Sequence, residues 1–171
     1  MVQIDNFHIG KAETALKPEI GILEAGLLWD FLAARYLCIE ETQFYHSLAH
    51  DTEFKKIISY GIKNVLEDQV NKLEEQMDKY KVALPERPPK SMNMDNSQVP
   101  FNDRFIFQRI FIGCSNFIDY SARVGRSMVT TDSLRSMVFG FLKNELSLYD
   151  KLCKYGKLKG WTSIEPIYKP Y

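Results

Sequence analysis

The sequence predicts an all-α protein, a single four-helix bundle, on three observations. Apolar residues recur at steps of three and four along four long stretches; the stretches form two pairs, each joined by only a few residues; and a proline-rich segment from Leu84 to Phe101 (LPERPPKSMNMDNSQVPF) separates the pairs. That segment holds four of the seven prolines, Pro85, Pro88, Pro89 and Pro100. Proline lacks an amide hydrogen and pushes the residue before it out of helical geometry, so no helix crosses the segment. One domain is expected over 1–171: a leader over 1–17, a first helical hairpin over 18–81, a crossover strap over 82–102, a second hairpin over 103–160 and an aromatic tail over 161–171.

The leader is mixed in character and receives no element. The first helix is expected from Pro18, which suits a first helical position, to about Ala49, with Glu19 and Glu24 near the positive end of its dipole. Its stripe reads Leu23, Leu27, Phe31, Ala34, Cys38, Glu41, Tyr45 and Leu48. Asp51 or Thr52 caps a second helix that runs to about Lys81, with Ile58, Ile62, Leu66, Val70, Leu73, Met77 and Tyr80 inward. Asn102 caps a third, to about Val129, whose inner face is Ile106, Ile110, Cys114, Phe117, Ser121, Val124 and Met128. After a tight break at Thr130, Thr131 and Asp132, the fourth carries Leu134, Val138, Phe141, Glu145, Leu148, Leu152 and Tyr155. Gly156 or Gly160 ends it, after Lys151 and Lys154 place positive charge at the negative end of its dipole. Gly26, Gly61, Gly113, Gly125 and Gly140, inside predicted helices, are read as points of close helix contact.

Linker lengths set the topology. Helices of roughly 27–31 residues are about 40–47 Å long, and an extended strap of some twenty residues reaches about 65 Å. The strap can therefore run the length of the bundle and start the third helix at the far end, parallel to the second. That one-crossover arrangement, between helices two and three, is the ferritin-like four-helix bundle; an up-and-down bundle with a long loop is the alternative.

Composition bounds the partners. Lysine plus arginine, 22, balances aspartate plus glutamate, 22, so no basic field exists to neutralise phosphates or hold anionic lipid. No nucleic acid is expected as a partner. Apolar runs stop short of the roughly 18–20 residues a bilayer span needs, and the start MVQIDNFHIGK lacks a signal peptide's apolar core. The expected location is cytoplasmic. Cys38, Cys114 and Cys153 are odd in number, widely spaced and set in or beside apolar stripes without a CxxC pair, which reads as core thiols.

Glu41 and Glu145 are the sharpest anomaly, since each stands in an otherwise apolar stripe. A buried carboxylate must be paired, protonated or metal-bound. One-crossover topology makes their two helices parallel, so a shared metal site is geometrically open; pairing with Tyr45, Ser121 or Arg109 is the structural alternative. His46 and His50 stand four apart, the spacing of two-histidine ligation, and equally fit a solvated pair near a turn. Catalytic di-iron bundles require Glu-x-x-His on two helices, and neither hairpin has it: Val70 follows Glu67 and Leu148 follows Glu145 at the third position. No cofactor is expected, with a transition metal as the alternative. The tail, GWTSIEPIYKPY, either lies along the bundle as a strap or presents Trp161, Tyr168 and Tyr171 to a partner.

The segments EAGLLWDFLAARYL in the first helix, ALPERPP after the second, FNDRFIFQRIFIG opening the third and KLKGWTSIEPIYKP at the end resemble a ferritin-like domain-of-unknown-function family from spore-forming Firmicutes, related to spore coat protein F-like proteins. The resemblance runs from about Lys17 to the end of the chain. It implies a ferritin-like bundle, no established enzyme reaction, and spore-coat-type partners with a spore-associated location. It supplies no ligand set. The functional expectation is a non-enzymatic structural or interaction protein, a homodimer through an outer helix face. The alternative is a metal-binding enzyme or sensor with a non-classical di-metal carboxylate site on Glu41 and Glu145, joined by His46 or His50. A third class, a binder with a small-molecule pocket between the helices, has no sequence signature.

Overall fold

Residues 2–4, 7–9, 19–87 and 101–168 are described by the structure, a computed structural model. The leader contains a small antiparallel hairpin, β1 (Val2–Ile4) against β2 (Phe7–Ile9), with Gln3 opposite His8. The rest is helical: α1 (Ile22–Leu48), α2 (Thr52–Gly61), a π-helical turn (Ile62–Leu66), α3 (Glu67–Lys79), α4 (Asp103–Ser127) and α5 (Asp132–Lys159). The π turn joins α2 and α3 into one rod, so the bundle has the four predicted helices. No helix among the described residues is long and apolar enough to cross a membrane.

Local chemistry sets the helix ends. Asp51 accepts the amides of Glu53 and Phe54 at 2.8 and 3.0 Å, and Asn102 accepts that of Phe105 at 2.8 Å, as expected of these caps. The first helix departs from expectation, beginning at Ile22 behind Gly21; Pro18 lies outside the described residues. Gly160 ends α5 in the left-handed region at φ 68°, where the amide of Trp161 reaches the carbonyl of Gly156 at 2.8 Å. Lys157 and Lys159, further on than the predicted lysines, occupy that last turn. Gly156 makes room for the tail, since a Cβ there would collide with Thr162 Oγ1 and with the Phe107 ring, so the chain can fold back only over glycine. Lys81 plays the part of Gly160 at the end of α3, at φ 58°, with Val82 N–H donating to the Met77 carbonyl at 2.9 Å.

Two carboxylates define the topology. Asp103, the first residue of α4, accepts the amides of His50 and Asp51, in the turn after α1, at 2.7 and 2.8 Å. Glu24, in the first turn of α1, accepts the amides of Thr130 and Thr131, in the turn after α4, at 2.8 and 3.1 Å. Helices α1 and α4 are therefore antiparallel neighbours. Lys159, at the end of α5, bridges to Asp51 at 2.8 Å, which makes α5 parallel to α1. The second rod and α4 then both start at the same end, so the end of α3 and the start of α4 lie at opposite ends of the bundle. This is the predicted single crossover.

The π turn has a cause in the sequence. Phe54, Ile58, Ile62, Leu66 and Val70 are all buried and stand four apart, sixteen residues over four turns. A straight α-helix uses about 14.4 residues for four turns, so such a stripe drifts off its face unless the helix is locally unwound. One π turn supplies the extra residue.

Two apolar clusters fill the bundle. One gathers Leu28, Phe31, Leu73, Met77, Leu134 and Phe141 near the start of α1; the other gathers Leu48, Phe54, Ile58, Ile106, Phe107 and Leu152 near its end. The glycine expectation is corrected by the packing. A Cβ at Gly125 would lie 2.7 Å from the Phe139 ring, a true close contact, but at Gly26, Gly61, Gly113 and Gly140 it would meet nothing within 4 Å.

Candidate functional site

A polar layer separates the two apolar clusters at mid-bundle. Its centre is an ion pair between Arg35 and Glu145, with Nη2 and Oε1 2.5 Å apart and the residues 1% and 2% exposed. Gln69 of α3 donates to the same Oε1 at 3.4 Å, and the Cys114 thiol of α4 lies 3.5 Å from Oε2, so each helical rod contributes one residue. The guanidinium carbon sits 3.8 Å from the centre of the Phe117 ring and 5.3 Å from that of Phe31, a cation–π arrangement that suits a desolvated arginine. Arg35 Nε and Gln69 Oε1 are buried in this layer without a protein hydrogen-bond partner, and Ser121 Oγ, about two turns along α4 from Cys114, is buried without one as well.

Burial of Arg35 corrects the reading of α1. Its buried residues are Glu24, Leu28, Phe31, Leu32, Arg35, Tyr36, Tyr45 and Leu48: the predicted stripe holds at Phe31, Tyr45 and Leu48, and between Glu24 and Tyr36 the buried face is turned about one residue from it. Leu23 and Glu41 are exposed. Glu145 is buried as expected, but its partner is an arginine that the stripe left outside. A signal existed: Arg35 is the single lysine or arginine in α1, flanked by Ala33, Ala34 and Tyr36.

Against one side of the polar layer lies a cavity of about 70 Å³ between the four rods. Arg35, Cys114 and Glu145 line its polar end, and Ile58, Leu148 and Leu152 are among its apolar walls. Glu41, Tyr45 and Arg109 lie along its more open side. There Tyr45 Oη donates to Glu41 at 2.6 Å, and Arg109 approaches the same hydroxyl.

The four candidate metal residues do not form a ligand set. Glu41 and Glu145 border the same cavity, but one binds Tyr45 and the other Arg35. His46 shares a hydrogen bond of 2.9 Å with Ser59, and burial holds its pKa below the usual imidazole value. His50 lies beyond the end of α1, with its ring mostly exposed beside Asp103. Among the described residues no group of three or more His, Cys, Asp or Glu could hold a metal ion. Burial raises the pKa of the Cys38 and Cys114 thiols, and all three cysteines are unbridged. In the tail, Trp161 packs edge-on against Phe54 and Tyr155, Tyr168 is exposed, and Tyr171 lies outside the described residues.

Tyr36, Tyr45 and Tyr120 each donate to a carboxylate, and the first sets a testable pH dependence. Burial first, and then the 2.6 Å hydrogen bond to Glu74, pushes Tyr36 from 10.0 up to about 12. The folded state holds this proton after the unfolded state has released it, so the contribution is complete below pH 10 and is lost as the pH rises to about 12. Tyr45 and Tyr120 shift in the same direction. Tyrosinate absorbance should show Tyr36 among the last phenols to titrate, and Tyr36→Phe should flatten the alkaline fall in stability followed by circular dichroism.

The fold and this layer define an all-α four-helix bundle whose centre holds an arginine–carboxylate pair. The chain belongs to the family described as protein of unknown function (DUF3231), whose model matches residues 11–170. A solved structure described as that of a candidate spore coat protein from Bacillus halodurans has the same fold, with a TM-score of 0.81 and 20% identity over 90% of this chain and 98% of that one. No curated protein matches the chain.

Proposed function

We propose that this protein is a non-enzymatic, ferritin-like scaffold of the spore-coat type that assembles with a second copy of itself. The observation that carries the reading is the Arg35–Glu145 pair. Carboxylate bundles of the ferritin-like class gather glutamates and histidines at mid-bundle to hold metal, whereas here a guanidinium supplies the positive charge beside Glu145. The single crossover supports the ferritin-like description, and the likeness to the Bacillus halodurans protein supports the spore-coat setting.

The contact surface lies on α1. Ile22, Trp29 and Leu37 are 94%, 45% and 66% exposed and share one outward face with Gly26 and Ala33. A helix apolar on its outer as well as its inner face needs a second partner, and the two small residues let another helix approach. Tyr168, with Ile164 and Ile167, forms a second exposed apolar patch in the tail.

Mass in solution and elemental analysis test this together. The expected result is a metal-free dimer that becomes a folded monomer when Trp29 and Leu37 are both changed to Lys. Removing the residues after Ser163 takes away the tail patch and leaves Trp161 packed on Phe54, so the shortened protein should stay folded and associate more weakly if the tail takes part in assembly. A monomeric wild type would overturn the self-assembly. About one or two transition-metal ions held per chain after dialysis against a weak chelator would replace the scaffold with the metal-dependent enzyme or sensor.

A further inference from the structure

We propose that the mid-bundle cavity is a binding site for a small, uncharged, largely apolar molecule that carries one hydrogen-bond acceptor, of the class of short-chain ketones and esters. Three features of the chain, each unfavourable for stability alone, converge on this space.

The first is a pair of glycines. Gly61 of α2 and Gly113 of α4 both line the cavity, and a Cβ at either would meet nothing within 4 Å. Glycine inside a helix is destabilising relative to alanine, and its usual justification, close approach of another backbone or ring, is absent at both. Gly61 is buried, so the emptiness in front of it is internal. The second feature is the π turn, which begins directly after Gly61 and ends at Leu66, another wall residue. Such turns are rare and occur often at functional sites. The third is Arg35 Nε, an N–H donor on a residue 1% exposed that lines the cavity and has no hydrogen-bond partner in the protein. A buried donor of this kind is costly to leave unmade.

Charge then selects the ligand class. Arg35 and Glu145 neutralise one another, so a carboxylate brought to this end would add an uncompensated negative charge beside Glu145. A neutral acceptor can take the free Nε–H while its hydrocarbon part lies against Ile57, Ile58, Leu148 and Leu152. About 70 Å³ is several times the space one water needs, and the side bordered by Glu41, Tyr45 and Arg109 leaves room for a longer tail to extend.

The test is a titration of the full-length protein with hexan-2-one, read from the methyl resonances of Ile57, Ile58, Leu148 and Leu152, with hexanoate as the charged control. Saturable shifts are expected, with a dissociation constant on the order of 1 mM or tighter and binding at least about tenfold weaker for hexanoate. Gly113→Leu fills the cavity and should abolish the shifts while melting no lower than the wild type. Gly61→Ala and Gly113→Ala, which shrink the space with a single methyl, should each weaken binding several-fold and serve if the leucine variant does not fold. Absence of a saturable ketone shift in the wild type overturns the site. Undiminished binding in the folded glycine variants overturns its location, and hexanoate binding as tightly as hexan-2-one overturns the uncharged class.

Discussion

Arg35→Met is expected to remove about 3–5 kcal/mol of stability at neutral pH, the usual cost of leaving one member of a buried ion pair alone. Glu145 would remain 2% exposed, with only the long hydrogen bond from Gln69 and the weak thiol contact of Cys114 facing an ionised carboxylate. An ionised carboxylate buried without a countercharge is disfavoured, so the damage should be smaller in acid than at neutral pH. The double variant Arg35→Met, Glu145→Leu replaces both charges with apolar groups and should recover most or all of the loss, because the original pair gave up two hydration shells to form. Urea unfolding at pH 5 and pH 8 measures all three proteins. A single variant as stable as the wild type at pH 8, or a double variant as damaged as the single, would show that the pair does not organise the core.

The reach of the sequence ends at this same pair. Apolar periodicity located all four rods, because burial of a stripe leaves a repeating pattern whatever the helices pack against. Caps at Asp51 and Asn102 were legible for the same local reason, since they need only their own helix. The spacing of four from Phe54 to Val70 even contained the π turn, although counting apolar residues does not separate an underwound stripe from a regular one. Periodicity exposed a buried charge only where apolar neighbours framed it, as at Glu145, and missed those that displaced the stripe itself. Arg35 and Glu24 stand on the true inner face of α1, and leaving both out turned the stripe onto Leu23 and Glu41. Their partners, Glu145 and Thr131, lie 110 and 107 residues away, so only the fold reveals that each charge is satisfied. The empty fronts of Gly61 and Gly113 are invisible for the complementary reason: a glycine against a void and a glycine against a ring are the same letter.

Glu24→Ala should be the second large loss, about 2–4 kcal/mol, and Glu24→Gln a clearly smaller one. The carboxylate is 3% exposed and takes three donors: the amides of Thr130 and Thr131, and the Thr131 hydroxyl at 2.6 Å. Thr131 makes no side-chain cap to its own helix, so Glu24 fills that role from another element. It also stands at the N-terminal ends of the parallel helices α1 and α5, where two positive dipole ends favour its charge. Alanine removes the charge and all three acceptor interactions. Glutamine keeps one oxygen for the two amides and turns its amide toward a hydroxyl that can accept, losing chiefly the charge. Asp103 serves the opposite end in the same way, at the starts of the second rod and α4, so Asp103→Ala should add its loss independently. Thermal unfolding checks this at roughly 2–4 °C per kcal/mol for a chain of this length. If Glu24→Ala and Glu24→Gln melt together near the wild type, the turn before α5 is held by packing alone; a graded order of wild type, Gln, Ala assigns the hold to the carboxylate.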